Sequence, residues 1–202
     1  TGLVSMKHDV IRSEISDSID VKQKILEDAT LVRLIDTVAN ECVAAFRRGN
    51  RVLLAGNGGS AADAQHIAAE FVSRYAFDRP GLAAIAFTTD TSILTAIGND
   101  YGYEQIFRRQ LEANGRQGDV FIGISTSGNS PNVLAALQCA RELDILAVGL
   151  TGAGGVKMES FSDHCIKVPS MDTPRIQESH ILLGHIICGI VEGVLFSGPE
   201  TR

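Results

Sequence analysis

The chain has 202 residues, 45% of them hydrophobic and 21% charged, and its formal net charge is −6 at pH 7. This composition is ordinary for a globular protein, and the length suits one domain over residues 1–202 with a core of its own. The acidic balance argues against a general nucleic-acid surface.

Two helices are predicted ahead of the first strand, and together they form a helical extension over residues 7–50. The first helix is mostly polar. The second can be capped at its start by Asp28 or Thr30, and Gly49 marks its end because glycine readily follows a helix. Residues 1–5 precede the first methionine and are set aside as a remnant of expression.

From residue 51 onward, short apolar runs alternate with helical patterns, which predicts five strands. They cover residues 52–56, 82–87, 119–124, 145–150 and 164–169. Continuous apolar runs are typical of strands buried on both faces, and alternation with helices favours a parallel sheet. We therefore expect an α/β fold with a doubly wound, five-stranded parallel sheet, followed by a last helix over residues 174–196.

The four cysteines lie in apolar stretches and none forms a CxxC pair, so we expect reduced core residues and a cytoplasmic protein. They are Cys42, Cys139, Cys165 and Cys188. No signal peptide is recognised, and no apolar run reaches the ~18 residues of a membrane span. The most apolar segment, ILLGHIICGIVEGVLF, is interrupted by His185 and Glu192, so no membrane contact is expected.

In a doubly wound sheet, ligands bind outside the carboxyl ends of the strands, which directs attention to three loops. The first loop, GNGGSAAD at 56–63, combines glycines that let the backbone approach a ligand with a following helix. Ser60 is predicted to cap that helix, with Asp63 at capping-box spacing. The helix N-terminus favours an anion, although a tight turn without a ligand would have the same sequence.

The third loop, GISTSGNSPNV at 123–133, places four hydroxyls at the end of a strand. They belong to Ser125, Thr126, Ser127 and Ser130. Pro131 suits the first position of the next helix, and hydroxyls at a helix N-terminus can bind phosphate without a lysine. Neither this loop nor the first contains GK[ST], which excludes a nucleotide-hydrolysing P-loop.

The first loop also fits the G-x-G-x-x-A pattern of dinucleotide sites, through Gly56, Gly58 and Ala61. The nearest acidic residue, Asp90, lies 32 residues past Gly58, whereas such sites place it after about 20. A dinucleotide site would also give the serine-rich loop no role. This alternative is therefore the weaker one.

Three further groups of polar side chains are candidates for chemistry. Asn99 and Asp100 close a short helix in the middle loop, where they can contact ligand hydroxyls or form part of a C-cap at Gly98–Asn99. His66 and Glu70 are one turn apart on one helix face. The last helix adds Gln177, Glu178, His180 and His185. The apolar neighbours of His185 predict burial and a lowered pKa, which suits proton exchange or metal binding, although structural histidines are common.

The segments GNGGSAADAQH, GND and GISTSGNS together resemble the sugar isomerase (SIS) domain proteins. RIQESHILLGH at 175–185 narrows the resemblance to the bacterial phosphoheptose isomerases, and the likeness runs from about residue 7 to residue 196. The resemblance implies the flavodoxin-like SIS fold. It also implies conversion of sedoheptulose 7-phosphate to D-glycero-D-manno-heptose 7-phosphate, the first step of ADP- or GDP-heptose synthesis for lipopolysaccharide or capsule.

The resemblance further implies roles for individual residues. Glu70 would be the general base and His185 its acid partner. The phosphate would be held by Ser125, Thr126, Ser127 and Ser130. The rest of the substrate would meet Asn57, Gly58, Gly59, Ser60, Glu70, Asn99, Asp100 and Gln177. One zinc per subunit would be bound by His66, Glu70, Gln177 and His185. The family is typically a homotetramer with active sites at subunit boundaries.

An aldose–ketose isomerisation agrees with these residue types, because an enediol route needs one base and one acid. A Schiff-base route is weaker, since no lysine lies in a candidate loop. Gln177 and His185 are about 12 Å apart along a straight helix, so either both side chains stretch along the axis or one is donated by another subunit. We predict a shared, inter-subunit site, and a metal held without Gln177 is a further alternative. The main alternative is a non-catalytic binding partner of the replication initiator. A sugar-phosphate sensor is the weaker alternative, because such sensors usually carry a DNA-binding domain and 202 residues leave no room for one.

Overall fold

The computed structural model describes the backbone of residues 2–197 and the side chains from residue 7 onward. Eight α-helices and five strands follow one another in this part of the chain. They are α1 (Gly2–Glu27), α2 (Ala29–Arg47), β1 (Val52–Gly56), α3 (Gly59–Val72), β2 (Ala84–Ala86), α4 (Thr91–Asp100), α5 (Arg108–Asn114), β3 (Val120–Ile124), α6 (Pro131–Glu142), β4 (Leu146–Gly152), α7 (Val156–Phe161), β5 (His164–Val168) and α8 (Thr173–Phe196). A 3₁₀ turn over Tyr103–Gln105 precedes α5.

The predicted doubly wound parallel sheet is confirmed. All strand pairs are parallel and the order is β2-β1-β3-β4-β5. Gly56 of β1 pairs with Ile124 of β3, and Ile124 pairs with Leu150 of β4, so these strands end at one edge. The loops after β1 and β3 therefore lie side by side at the point where the strand order reverses, which is where such sheets bind ligands.

Alternation along the strands divides the core between the two faces of the sheet. Val52 and Leu54 of β1 pack into a cluster with α2, α3 and α8, whereas Leu53 and Ala55 pack into a second cluster with α5 and α6. The strands are buried on both faces because helices cover both sides. Strand β2 is shorter than predicted, since it lies at an edge and pairs only with β1.

The ends of the first two helices follow from local chemistry. Helix α1 begins at Gly2, so the residues set aside in the sequence continue the helix, with Thr1 outside the described residues. Asp28, rather than Thr30, caps α2, because its carboxylate accepts the backbone N–H groups of Thr30 and Leu31. Gly49 follows the helix with a φ of +79°. The assignment of one domain stays a prediction.

Helix α8 corrects the expectation that no apolar run reaches the length of a membrane span. Among the described residues it is the one helix long and apolar enough to cross a membrane, and 44% of its most apolar window is buried inside the fold. Glu192 lies in this helix with its charge paired with Arg79 in the interior. The helix packs on α2 and α3, as a core helix does.

Candidate active site

The glycine-rich loop turns from β1 into α3 two residues earlier than expected. Gly58 has a φ of +55° and precedes the helix, so Gly59 is its first residue. The capping role predicted for Ser60 is therefore wrong: Ser60 lies inside the first turn, buried, and lines a cavity. Gly56 is required as well, because a Cβ there would lie 2.6 Å from the carbonyl oxygen of Ser60.

Asp63 follows in the same helix and makes no capping bond. One of its carboxylate oxygens is buried without a hydrogen-bond partner. Burial raises the pKa of Asp63 to about 6, and the nearby His66 acts in the opposite direction. A carboxyl of this kind is characteristic of functional sites.

The four hydroxyls after β3 gather where α6 begins. The Oγ atoms of Ser125 and Ser130 are 2.9 Å apart, and those of Ser125 and Ser127 are 3.5 Å apart. Ser130 precedes Pro131, the first residue of α6, and its side chain caps no helical N–H. The hydroxyls are therefore available to a ligand at the helix N-terminus, where an anion is favoured.

A cavity of about 110 Å³ joins the first and third loops. Its lining consists of Asn57, Ser60, Ile124, Ser125, Thr126, Ser130 and Gln177. Ser127 instead lines a neighbouring cavity of about 220 Å³, together with Thr126 and Asn129. Six of the twelve predicted substrate residues, from three separate parts of the chain, thus meet at the carboxyl edge of the sheet.

Asn57 is held by two residues that the sequence interpretation missed. Its amide exchanges two hydrogen bonds with the amide of Asn132, at 2.9 and 2.8 Å. The Tyr103 hydroxyl donates a third bond of 3.1 Å to Asn57 Oδ1. Asn132 follows Pro131 directly, but the sequence carries no signal that pairs it with a residue 75 positions away.

His66, Glu70 and His185 converge at the contact between α3 and α8. His66 Nε2 lies 3.2 Å from Glu70 Oε1 and 2.8 Å from His185 Nε2. One potential ligand atom from each side chain lies within 4.8 Å of the other two. Two imidazoles and a carboxylate are a donor set that suits zinc and other first-row metals. The side chains present therefore fit a metal ion.

The burial predicted for His185 belongs to His180 instead. His185 is only partly buried, while His180 is fully buried and neither of its ring nitrogens makes a hydrogen bond. Burial lowers the pKa of His180 to about 4. The nearby carbonyl of Thr151 favours the charged form and has the opposite, smaller effect. The reason is helical phase: His180 lies on the stripe with Leu183 and Ile187 that faces the core, and His185 lies beside that stripe.

Gln177 lies apart from the other three predicted ligands. It lines the hydroxyl cavity and packs on Gly59, where a Cβ would lie 2.5 Å from its Nε2 atom. About 12 Å of axial rise separates it from His185 on the continuous helix α8. The described chain therefore brings three of the four together and places Gln177 beside the loops after β1 and β3.

Asn99 and Asp100 form the last turn of α4, whose C-cap is Tyr101, two residues after the predicted C-cap at Gly98–Asn99. Both are exposed, and their side chains bond to each other at 2.8 Å. Neither lines the hydroxyl cavity. Instead, Tyr103, which follows α4, contacts the first loop through its hydrogen bond to Asn57.

Comparison with known proteins agrees with this architecture. Residues 18–152 match the SIS domain family. The chain is 65% identical to the phosphoheptose isomerase of Aneurinibacillus thermoaerophilus, covering 94% of this chain and 96% of that one. It is 63% identical to phosphoheptose isomerase 2 of Campylobacter jejuni, covering 92% of each. The solved phosphoheptose isomerase of Neisseria gonorrhoeae is similar with a TM-score of 0.86 and 43% identity, covering 92% of this chain and 98% of that one.

Proposed function

The chain belongs to the SIS domain family and, within it, to the phosphoheptose isomerases, and from that membership we propose that it converts sedoheptulose 7-phosphate to D-glycero-D-manno-heptose 7-phosphate. The observation that carries the proposal is the placement of His66, Glu70 and His185 at the contact of α3 and α8. The same two helices reach the hydroxyl cavity through Ser60 and Gln177. One ligand can therefore meet an anion site and a group of proton-transferring side chains.

The phosphate of the substrate is assigned to the loop after β3. Ser125, Thr126, Ser127 and Ser130 supply hydroxyl donors, and the free N–H groups at the start of α6 add a favourable field for an anion. Asn57, Gly58 and Gly59 are assigned to the sugar chain, with Gln177 beside them. Asn99 and Asp100 keep their assignment to the sugar hydroxyls as a prediction.

The proton transfer is assigned to Glu70 and His185. Moving the carbonyl from C2 to C1 requires a base that takes the proton from C1 and returns it to C2, and an acid that serves the two oxygens. Glu70 Oε1 faces His66, which leaves Oε2 for the substrate proton. His185, whose Nε2 faces His66, is assigned to the oxygens as proton donor, and with a metal on Nε2 the exchangeable proton would be the one on Nδ1.

We assign one zinc ion per subunit to His66, Glu70 and His185, with Gln177 as the fourth predicted ligand. When bound, such an ion polarises the carbonyl and stabilises negative charge on oxygen. The three side chains would hold it through Nε2 of each histidine and a carboxylate oxygen of Glu70. Gln177 would complete the set only through its long side chain or from a neighbouring subunit.

We also propose a homotetramer with active sites at subunit boundaries. Three apolar side chains at four-residue spacing on one face of α1 remain more than half exposed in the single chain: Ile11, Ile15 and Ile19. Contiguous apolar patches of this kind are typical of protein interfaces. Sedimentation equilibrium would give four times the chain mass, and a monomer at micromolar concentration would contradict the assignment.

The heptose phosphate product is assigned to nucleotide-activated heptose synthesis for lipopolysaccharide or capsule in the cytoplasm. The four cysteines are free, which agrees with a reducing compartment. The alternative of a non-catalytic partner of the replication initiator is not favoured, because the relatives reported above are named phosphoheptose isomerases. The presence of Glu70 and His185 in hydrogen-bonding range of His66 supports the same choice.

A pair of matched variants tests the assignment of the base. Glu70→Gln keeps the size of the side chain and removes the base, so kcat should fall by about 10²- to 10⁴-fold. Glu112→Gln makes the same chemical change on α5, where Glu112 pairs with Arg108 in solvent, and should leave kcat unchanged. Product formation from sedoheptulose 7-phosphate measures both. Full activity of Glu70→Gln would remove Glu70 from the chemistry.

A further inference from the structure

A buried ion pair joins the segment after α3 to helix α8. Arg79 and Glu192 have side chains that are 2% and 1% exposed, and Arg79 Nε donates to Glu192 Oε2 at 2.9 Å. The carboxylate also accepts the backbone N–H groups of Tyr75, Ala76 and Phe77, at 2.8, 2.6 and 3.2 Å. Four donors thus meet one buried carboxylate, which satisfies its charge and fixes three consecutive residues of the segment.

The guanidinium of Arg79 bonds at the same time to the end of the helix that carries Glu70. Its two terminal nitrogens donate to the carbonyl oxygens of Glu70 at 2.8 Å and Phe71 at 2.5 Å. These carbonyls belong to the last turn of α3, where no helical N–H follows to satisfy them. Arg79 therefore ties the backbone of Glu70 directly to α8.

The segment held by Glu192 also forms one wall beside His185. The Tyr75 ring lies 5.8 Å from the His185 ring, centroid to centroid, and packs on Gly189, where a Cβ would lie 3.1 Å from it. The Arg79–Glu192 pair therefore contacts the backbone of Glu70 on α3 directly. Through Tyr75 it also contacts the imidazole of His185 on α8. Neither charged group touches the substrate cavity.

We propose that Arg79 and Glu192 are positioning residues, which set the placement of Glu70 relative to His185. The inference rests on the proposed isomerase function for its kinetic consequence, but the geometry is a property of the chain itself. A pre-organised base and acid need placement within about 0.5 Å, and loss of a supporting contact commonly lowers activity by about 10- to 100-fold.

The test compares Glu192→Gln with Asp119→Asn, which is a matched change at the opposite edge of the sheet. Asp119 is also 1% exposed and accepts hydrogen bonds from the backbone N–H groups of Arg51 and Arg116 and from the Asn50 amide. Both variants remove a buried charge that several donors satisfy. Only Glu192→Gln should change the site if the proposal is right.

Two readouts are measured on each folded variant: kcat and KM for sedoheptulose 7-phosphate, and the imidazole C–H resonances of His66 and His185 in metal-free protein. Glu192→Gln should lower kcat about 10- to 100-fold, leave KM within about twofold and shift both resonances. Asp119→Asn should leave kcat and the resonances as in the wild type. Equal losses of kcat in the two variants, or unshifted resonances in Glu192→Gln, would overturn the proposal.

Arg79→Lys serves if Glu192→Gln does not fold. Lysine keeps a positive charge beside Glu192 but cannot make the forked bonds to two carbonyls and a carboxylate together. It should shift the same resonances and lower kcat in the same direction. If the wild type shows no turnover, the proposed function fails, and the resonances alone decide whether the pair positions the site.

Discussion

Replacing Gly184 by alanine should move His66 and Glu70 on α3 away from His185 on α8. Gly184 precedes His185 on α8 and packs on Ile67, which follows His66 on α3. A Cβ at Gly184 would lie 2.6 Å from Ile67 Cδ1 and 2.7 Å from Cγ1. Ordinary carbon contacts are about 3.5–4.0 Å, and one of the clashing atoms, Cγ1, lies near the α3 backbone, so we expect the helices to move apart by roughly 1 Å.

The cost in stability is smaller than the cost in activity. Overpacking a core contact costs about 1–3 kcal/mol, and alanine gains about 1 kcal/mol over glycine in a helix, which leaves a net loss of about 0–2 kcal/mol. A typical domain has about 5–15 kcal/mol, so the variant should fold. A displacement of about 1 Å between reacting groups can lower kcat by about 10²-fold.

The assay measures kcat, zinc affinity and the free energy of unfolding for Gly184→Ala, Ile67→Ala and the double variant. Ile67→Ala removes both clashing carbons, so the double variant should regain most of the kcat that Gly184→Ala loses. The recovered kcat would appear as a coupling energy between positions 184 and 67. Wild-type kcat in Gly184→Ala, or no recovery in the double variant, would refute the reasoning.

Three further changes have outcomes that follow from single contacts. Ser130→Ala removes a hydroxyl at the start of α6 and should raise KM about 10-fold with kcat nearly unchanged. The reason is that a hydrogen bond to a charged group contributes about 1.5–3 kcal/mol. An unchanged KM would exclude Ser130 from phosphate binding. Asn132→Leu leaves the Asn57 amide without its two bonds and should cost about 1–3 kcal/mol in urea unfolding; a neutral result would show that Asn57 finds other partners. The third change concerns pH: although burial raises the pKa of Glu192, its N–H donors hold that pKa below the ordinary 4.5. The stability that the Glu192 carboxylate provides is therefore present above about pH 4.5 and is lost as the pH falls through the lowered pKa. On acidification, the unfolding free energy of Glu192→Gln should fall less than that of the wild type. Parallel pH profiles of the two proteins would contradict this.

The sheet and its ligand-binding edge could be predicted because they depend on local patterns. Continuous apolar runs marked all five strands, and parallel order placed the loops after β1 and β3 side by side. The hydroxyl-rich loop before Pro131 and the His66–Glu70 spacing are also local signals. Each requires only neighbouring residues to be recognised.

The features that were missed depend on contacts between distant segments. The sequence does not encode the phase of α8 relative to the sheet, so burial was assigned to His185 instead of His180. The Asn57–Asn132 pair and the Arg79–Glu192 pair join residues 75 and 113 positions apart. Such pairs become visible only when tertiary packing brings their elements together.

The most direct measurement of the central claim is NMR of sedoheptulose 7-phosphate incubated with the protein in deuterated water, before chelation, after it, and after zinc is returned. We expect D-glycero-D-manno-heptose 7-phosphate with deuterium at C2, because the proton that the base takes from C1 exchanges with solvent during the lifetime of the enediol, before the base protonates C2. Turnover should stop on chelation and resume with zinc. No product from folded protein under any metal condition would contradict the isomerase assignment.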